Sequence, residues 1–311
     1  MAPDAASGAL AILRAVAGDR ARAGFPLARL TSFRLGGPAA VFLEAESIED
    51  LEGLADALAE SGLPLLVLGK GSNLLISDEG FPGIVVRLGK AFRWTARDGV
   101  RITAGGAMHL PAVSNAALAH SLTGLEFGVA IPASLGGSVR MNAGAHGRSL
   151  HEVVESVELF ETRERRVRVI PAEEAGFTYR DTRLPAGSIV IGATAALAPG
   201  DPEEIRRRMD EAREWRRATQ PLAEPNCGSV FKNPPGLHAA RLIDEAGGKD
   251  LRVGGAHVSE KHANFVIADP GATAADVLAL IRRVQEHVAE RSRIRLEPEV
   301  HIVGPFEEEE R

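Results

Sequence analysis

The chain has 311 residues, a formal net charge of −6 and a hydrophobic content of 45%. These values predict a globular protein of roughly two domains, each about 100–200 residues long. The acidic balance argues against a nucleic-acid-binding protein, and a single cysteine, Cys227, excludes an intrachain disulfide or a multi-cysteine metal site. We therefore expect a reducing, cytoplasmic setting. The longest run without a charged residue, Ile102–Leu125, is too polar to span a membrane.

In chain order, the apolar pattern first predicts an N-terminal helix and then a small βαβ-type unit. Ser47, with Asp50 three residues later, predicts a capping box at the start of the helix in that unit. Gly62 and Pro64 predict its end. The strands predicted around this helix are Ala40–Leu43, Leu65–Leu68 and Ile84–Leu88.

Eight glycines fall in the 43 residues between Gly105 and Gly147, which predicts backbone that approaches another group closely. Strands, a charged connecting helix and a C-terminal α/β part follow. Thr273 and Asp276 predict a second capping box there. The elements predicted after Gly147 are strands Val153–Phe160, Val167–Ile170 and Ser188–Ala193, helices Asp201–Ala218, Leu237–Ala246 and Thr273–Ala289, and strands Asn264–Ala268 and Ile294–Val303.

Two glycine-rich segments are candidate anion sites. The first, Gly69–Asn73, follows a strand directly and offers free N–H groups, a hydroxyl and a carboxamide to a phosphate. Leu74 replaces the third glycine of a dinucleotide fingerprint, and the chain has no P-loop sequence. The second, Ile131–Gly147, contains paired glycines that suit a pyrophosphate. Each segment alone is also compatible with a structural turn, but together they indicate a dinucleotide bound without a Rossmann motif.

Three further segments contain polar groups that core packing does not need. Asn226–Pro234 contains Ser229 and Lys232, a pair able to move a proton or hold an anion. Arg180, taken alone, is more typical of a surface residue. The last predicted strand places Arg295, Glu297, Glu299 and His301 on one face, and Pro298 favours a solvated edge. The nine histidines lack metal-ligand spacing, so we expect no metal site.

Seven segments, taken in order, resemble the UDP-N-acetylenolpyruvoylglucosamine reductases, the MurB flavoenzymes of peptidoglycan precursor synthesis. The likeness extends from Thr31 to about Gly304. The segments are Thr31–Gly37, Gly69–Leu75, Ile131–Gly147, Tyr179–Arg180, Gln220–Pro234, Val258–Phe265 and Leu296–Val300.

This resemblance implies an α+β fold. Residues 1–203 would form an FAD-binding domain of the vanillyl-alcohol-oxidase (PCMH) type, with two subdomains split near residues 90–100. Residues 204–311 would form a smaller α/β substrate-binding domain. The implied cofactor is non-covalent FAD, the electron donor NADPH and the substrate UDP-N-acetylglucosamine enolpyruvate, and a monomer is expected.

The resemblance also implies roles for individual residues. Hydride from the flavin would reach C3 of the enolpyruvyl group, Ser229 would protonate C2, and Arg180 and Glu299 would be its catalytic companions. Substrate contacts are implied for Tyr179, Lys232, Asn233, Lys261 and His262. Cofactor contacts are implied for Arg34, Gly69, Lys70, Gly71, Ser72, Asn73, Leu74, Ile131, Pro132, Ser134, Gly136, Gly137, Ser138, Asn142, Gly144 and Ile189.

The chain departs from the usual family pattern at Lys70, Ala133 and His146. Tyr179 is its only tyrosine, so it resembles the shorter subgroup that lacks a tyrosine-bearing substrate loop. Two alternatives remain open at this point. One is another enzyme of the same flavin fold, with the flavin tethered through His109 or His146, and the other is a non-catalytic flavin-binding module.

Overall fold

The computed structural model describes residues 3–306, and this range contains both helices and strands. The α-helices in it are α1 (Pro3–Ala17), α2 (Ile48–Ser61), α3 (Leu110–Ala119), α4 (Leu135–Arg140), α5 (Ala172–Ala175), α6 (Pro202–Thr219), α7 (Ala239–Glu245) and α8 (Ala274–Ser292). The strands in it are β1 (Ala21–Pro26), β2 (Pro38–Ala45), β3 (Leu65–Val67), β4 (Leu74–Ile76), β5 (Phe81–Leu88), β6 (Thr95–Asp98), β7 (Arg101–Gly105), β8 (Leu122–Thr123), β9 (Gly144–Ala145), β10 (Arg148–Ser149), β11 (Val154–Glu161), β12 (Arg166–Pro171), β13 (Ser188–Ala196), β14 (Ala198–Pro199), β15 (Arg252–Val253), β16 (Ala256–Val258), β17 (Val266–Ala268) and β18 (His301–Val303).

The chain forms two compact units that interleave along the sequence. The first comprises residues up to Ala23, Val41–Lys70 and Gly83–Arg216. The second comprises Gly24–Ala40, Gly71–Pro82 and the residues from Arg217 onwards. The division at residues 203/204 stays a prediction about folding domains, because the compact units place two early segments with the C-terminal part.

The first unit has two main hydrophobic cores. One is formed largely by α1, α2 and the sheet ordered β1-β2-β5-β3, in which β3 runs parallel to β5. The other lies against the antiparallel sheet ordered β12-β11-β13-β7-β6. Strand β13 contributes to both cores, since Ile189 packs in the first and Val190 in the second. Alternation along β13 therefore connects the two parts of the unit.

The start of α2 differs in one detail from the predicted capping box. Ser47 is the N-cap and its hydroxyl accepts a hydrogen bond from Asp50 N, as predicted. The Asp50 carboxylate does not return to Ser47, because it accepts from Glu46 N at 2.7 Å and pairs with Arg20. Gly62 ends the helix at φ 65°, a conformation that glycine adopts without steric cost.

The second unit packs α7, α8 and the sheet β15-β16-β17 around a third core. The capping box of Thr273 and Asp276 at the start of α8 is confirmed. The prediction of one continuous strand over Ile294–Val303 was wrong. Only β18 is a strand, paired in parallel with β4, and Ile302 is exposed rather than part of an apolar face. Pro298 explains the difference, because it cannot donate to a ladder and makes only an isolated bridge with Phe231.

Candidate functional site

A cavity of about 250 Å³ lies within the first unit. Its wall combines the turn after β3, the end of β5 and the loop that follows, the loop before α3, the first turn of α4, and β13. Backbone hydrogen bonds hold these distant segments together. Gly136 N donates to Gly106 O at 2.9 Å, and Gly106 N donates to Ile191 O at 2.7 Å. Close contact between backbones from separate parts of the chain thus forms the cavity.

The lining of this cavity is strongly cationic. Lys70, Arg87, Arg93 and Arg140 contribute to it, and none of the described lining residues is a carboxylate. Arg140 is held in place because its guanidinium donates to Ser188 O at 2.6 Å and to Ser188 Oγ at 2.9 Å. The carboxylates that act on these cations, Asp181 on Arg140 and Glu46 on Arg93, lie outside the lining, so an anion bound in the cavity would reduce the repulsion among the four cations.

The pKa shifts of two lining groups have the same origin. Burial, and then the charges of Arg87 and Arg93, lower the pKa of the Lys70 ammonium. Burial, followed by the nearby charges of Lys70 and the two arginines, lowers the pKa of the His109 imidazole. His109 is therefore a neutral group at pH 7, and the positive charge of the cavity comes from lysine and arginine.

Glycine is required at the points of closest approach. A Cβ on Gly69 would collide with the Ser134 hydroxyl, which caps α4 by accepting from Gly137 N at 3.3 Å. A Cβ on Gly136 would lie 2.8 Å from Val190 O and 3.2 Å from Gly106 O. Carbonyl oxygens in a backbone cannot move aside as the end of a side chain can, so the cavity wall depends on Gly136.

We expect Gly136→Ala to destabilise the protein by about 1–3 kcal/mol, the usual effect of overpacking. Alanine favours a helix over glycine by only about 1 kcal/mol, so the clash dominates. Gly8→Ala in α1 is the matched control, because nothing lies within 4 Å of its Cβ position, and it should maintain or raise the melting temperature. Thermal unfolding measures both variants. A Gly136→Ala protein as stable as Gly8→Ala would contradict the close approach.

Among the predicted cofactor residues, Gly69, Lys70, Ser134, Gly136 and Gly137 line the cavity. Ser138 lies close by in sequence within α4 and is 1% exposed. Its hydroxyl finds no hydrogen-bond partner within residues 3–306. Buried hydroxyls are normally paired, so this orphaned group is a second indication of a missing ligand in this region.

Some other predicted cofactor residues use their side chains for hydrogen bonds or packing within the protein. The Asn142 carboxamide donates to Thr178 O at 2.8 Å and accepts from His151 N at 3.0 Å. The Ile189 side chain is fully buried in a core, so it is not available to a ligand. Ile131 and Pro132, half-buried and exposed respectively, lie outside the lining of the cavity.

Arg180 lies in a strained turn of the first unit. Thr178 and Asp181 bridge as an antiparallel pair, so Tyr179 and Arg180 form the tip, and Arg180 has φ 56°. Its guanidinium donates to Gly144 O at 2.8 Å and lies 5.2 Å from the Tyr179 ring centroid. A positive φ at a non-glycine residue is unfavourable, and these contacts hold the guanidinium and a half-exposed tyrosine at one turn.

Ser229 and Glu299 belong to the second unit, where hydrogen bonds align their segments. Glu299 N donates to Val230 O at 2.7 Å, and Lys232 N donates to Glu297 O at 2.9 Å. Glu299 is also close enough to Cys227 that, after burial, its charge raises the pKa of that thiol. Cys227 therefore stays protonated and inert at neutral pH.

The glycine-rich segment continues from the cavity into the second unit as Gly71–Leu74. Gly71 O accepts from Ser32 N at 3.0 Å, and the Asn73 carboxamide donates to Glu299 O at 3.0 Å. Leu74 begins β4, and Ser72 is half-buried. The Asn73 carboxamide thus holds the backbone of Glu299. Arg34 is exposed with φ 60°.

The predicted substrate residues of the second unit make contacts with protein groups. Lys232 Nζ lies 2.7 Å from Glu297 Oε1, and Lys261 Nζ donates to Arg217 O at 2.7 Å. Asn233 Oδ1 accepts from Ala239 N at 2.9 Å, which caps α7. His262 accepts from Asn264 N at its Nδ1, and burial lowers the pKa of its ring.

Sequence reasoning missed several lining residues of the cavity. Arg87 lies in a predicted strand and Arg93 in the loop after it, so no local pattern singled them out. Arg140 lies inside the second glycine-rich segment and could have been identified as a cation four residues after Gly136, one helical turn away. Within the described residues, no group of three histidine, cysteine, aspartate or glutamate side chains forms a possible metal site.

Comparison with known proteins identifies related sequences and structures. The chain matches the model of the C-terminal domain of UDP-N-acetylenolpyruvoylglucosamine reductase over residues 220–303 and the model of an FAD binding domain over residues 38–169. The UDP-N-acetylenolpyruvoylglucosamine reductase of Heliobacterium modesticaldum is 46% identical over 281 residues, covering 90% of this chain and 89% of that protein.

Solved structures extend the comparison. The crystal structure of UDP-N-acetylenolpyruvylglucosamine reductase (MurB) from Thermus caldophilus matches with a TM-score of 0.79 and 38% identity, covering 91% of this chain and 98% of that chain. Berberine bridge enzyme from Eschscholzia californica matches with a TM-score of 0.50 and 14% identity, covering 62% of this chain and 44% of that one. The second match shows a shared fold alone.

Proposed function

Because the chain belongs to the UDP-N-acetylenolpyruvoylglucosamine reductase (MurB) family, we propose that it reduces UDP-N-acetylglucosamine enolpyruvate to UDP-N-acetylmuramate, with NADPH as electron donor. It is an FAD-dependent oxidoreductase with an α+β fold whose FAD-binding domain is of the vanillyl-alcohol-oxidase (PCMH) type. The observation that carries the assignment to residues is the pairing of the Val230–Lys232 segment with Glu297–Glu299, which sets Val230, the residue directly after Ser229, opposite Glu299.

The cationic cavity fits the diphosphate-bearing part of FAD. Lys70, Arg87, Arg93 and Arg140 supply positive charge at a wall without a carboxylate, and Ser138 offers an unpaired hydroxyl nearby in α4. Charge-assisted hydrogen bonds to phosphate oxygens are about twice as strong as neutral ones. A volume of about 250 Å³ holds only part of a dinucleotide, and we assign the cavity to its charged part.

When bound and reduced by NADPH, the flavin would supply the hydride that C3 of the enolpyruvyl group accepts. We assign the proton that completes the reduction to the hydroxyl of Ser229, which donates it to C2. The C=C bond thus gains one hydride and one proton, and the alkoxide left on Ser229 regains its proton from water. The reaction needs no acyl-enzyme, so Ser229 requires no histidine–aspartate relay.

Charge develops on the substrate carboxylate as C2 gains electron density. The proposed role of Arg180 is to offset this charge with its guanidinium, which its strained turn and Gly144 O hold in place. The backbone of Glu299 is held by Val230 O and by the Asn73 carboxamide. Glu299 is proposed to organise the end of the substrate that carries the acid group. Tyr179, Lys232, Asn233, Lys261 and His262 are proposed as binding residues for the nucleotide-sugar.

Steady-state turnover tests this proposal. NADPH oxidation should depend on added UDP-N-acetylglucosamine enolpyruvate, and the product should be two hydrogen atoms heavier than the substrate by mass spectrometry. NADPH oxidation at the same rate without the enolpyruvate would reject the assigned substrate.

The working form is proposed to be a monomer in the cytoplasm. Light scattering on the purified protein checks the oligomeric state. Within the described range, every helix is too short or too polar to cross a bilayer.

The lowered pKa of Lys70 makes FAD affinity depend on pH. Below that pKa the ammonium is fully charged, and affinity should be constant. A bound diphosphate favours the charged form, so binding takes up a proton once pH exceeds the Lys70 pKa of the unbound protein. Affinity should then fall as pH rises, by at most about tenfold per pH unit for one proton.

Fluorescence titration of the apoprotein with FAD across the alkaline range measures this effect. Lys70→Arg is the matched control, because its guanidinium stays charged throughout and should remove the alkaline fall. An alkaline fall that persists unchanged in Lys70→Arg would assign it to another group.

A further inference from the structure

The segment that follows Ser229 is paired on one side with the segment that contains Glu299. Lys232 N donates to Glu297 O, Glu299 N donates to Val230 O, and Phe231 faces Pro298 as an isolated antiparallel bridge. These bonds flank Phe231 and Pro298, which makes them a non-hydrogen-bonded pair. Pro298 fits this position without losing a hydrogen bond, because the position needs no N–H. The N–H and C=O of Phe231 therefore point away from Pro298.

The side chain of Asn264 satisfies both of these Phe231 groups. Phe231 N donates to Asn264 Oδ1 at 2.9 Å, and Asn264 Nδ2 donates to Phe231 O at 2.8 Å. The backbone carbonyl of Asn264 also accepts from Val230 N at 2.9 Å. Asn264 is 3% exposed, so water does not compete for these bonds. A carboxamide has the donor and acceptor of a peptide group. The Asn264 side chain therefore makes the two hydrogen bonds that the backbone of a neighbouring strand would otherwise make to Phe231.

We infer that Asn264 is a positioning residue that fixes the backbone directly after Ser229, and so places the Ser229 hydroxyl for proton transfer. The inference rests on the role proposed for Ser229. Asn264 acts through the backbone of Val230 and Phe231. Val230 follows Ser229 directly, and its carbonyl accepts from Glu299 N. A shift of the Ser229 segment by one residue would turn its side chains to the opposite face, and the two carboxamide bonds oppose such a shift.

The first test is Asn264→Ala in the FAD-loaded enzyme, with the two half-reactions measured separately under anaerobic conditions. Flavin reduction by NADPH and FAD content should stay within about twofold of the wild type. Flavin reoxidation by the enolpyruvate should slow by about 10²-fold, the effect of misplacing a reacting group by 1 Å. Its solvent deuterium isotope effect should increase, because proton transfer limits the rate.

Gln285→Ala is the matched control. The Gln285 carboxamide donates to Leu296 O at 2.7 Å, so this variant also removes a carboxamide–backbone bond from the segment that leads to Glu299. It leaves the bonds to Phe231 intact and should change neither half-reaction by more than about twofold. Equal losses in both variants would show that Asn264 acts through general stability and would overturn the inference.

Asn264→Asp provides a test that does not depend on the alanine variant folding. A neutral aspartic acid can accept from Phe231 N and donate to Phe231 O, whereas the carboxylate places a second acceptor against that carbonyl. Burial favours the neutral acid. The ionisable groups near this position are His262, which contacts Asn264 N, and Lys232, Glu297 and Glu299 across the paired segment.

Relative to the wild type at each pH, Asn264→Asp should reoxidise the flavin at a near-normal rate in acid and about tenfold or more slowly once the acid ionises. A constant ratio across the pH range would overturn the inference. Ser229→Ala, measured beside it, separates the two proposals. If Ser229→Ala reoxidises normally, both the proposed donor and the inference fail. If only Ser229→Ala is slow, Ser229 stands and the inference about Asn264 fails.

Discussion

Replacing Ser229 by alanine should slow flavin reoxidation by UDP-N-acetylglucosamine enolpyruvate by about 10²–10⁴-fold, the usual contribution of a general acid. The same variant should be reduced by NADPH at close to the normal rate. The reason is that the proton reaches C2 only in the half-reaction that consumes the enolpyruvate. Ser229 is half-buried and its segment is held by Asn264 and Glu299, so a water molecule should not replace the hydroxyl efficiently.

Anaerobic stopped-flow absorbance of the bound flavin measures both half-reactions of Ser229→Ala. Cys227→Ala is the matched control, since it removes a heteroatom two residues away. Burial, and then Glu299, raise the pKa of this thiol, so it is a poor proton donor and the control should keep both half-reactions. A folded, FAD-loaded Ser229→Ala enzyme that loses both half-reactions would contradict the assigned role.

The second large effect is expected at the cationic cavity. The double variant Arg87→Ala/Arg93→Ala should raise the Kd for FAD by about 10–100-fold, since a charge-assisted hydrogen bond contributes about 1.5–3 kcal/mol. We expect the low end of this range because Arg93 is exposed and solvent screens its charge. Added salt should weaken FAD binding to the wild type more than to the double variant.

The apoprotein should respond in the opposite direction. Without an anion, Arg87 and Arg93 repel Lys70, as the lowered pKa of that lysine indicates, so their removal should leave the melting temperature unchanged or higher. Arg97→Ala is the control, because Arg97 is exposed on β6 and lies outside the cavity lining. If the double variant binds FAD with wild-type affinity, the cavity does not hold the diphosphate.

Local patterns were sufficient to predict much of the fold. The capping box of α8 depends on two residues three positions apart, and its apolar stripe depends on helical periodicity. Such features are encoded within one or two turns of chain. Most predicted helices and strands in the described residues are present, with ends shifted by at most three residues, because fraying and capping set the last residues of an element.

Contacts between distant segments could not be predicted in this way. The strand expected over Ile294–Val303 is interrupted at Pro298, and its two parts pair with different distant segments. Glu297 and Glu299 bond to Lys232 and Val230, whereas β18 pairs with β4. The glycine content of the sequence drew attention to two loops, and residues of both line one cavity. It did not reveal that Arg87, Arg93 and Ser188 complete the cavity, since only the folded sheets bring these residues together.

The alternation of side chains along β13 explains why the sequence did not predict which of its residues line the cavity. Ile189 was expected to contact the cofactor, yet its side chain lies in a core while Ser188 and Val190 line the cavity. Neighbouring residues of a strand point to opposite faces, and the sequence alone did not fix which face of β13 meets the cavity.

An anaerobic titration in two steps shows whether the enolpyruvate accepts the electrons of the reduced flavin. NADPH is first added to the purified, FAD-loaded protein, and the flavin absorbance near the visible maximum should bleach. UDP-N-acetylglucosamine enolpyruvate is then added without oxygen, and we expect the oxidised spectrum to return with formation of one equivalent of UDP-N-acetylmuramate. If the spectrum returns only when oxygen is admitted, the protein does not reduce this substrate and the proposed function is wrong.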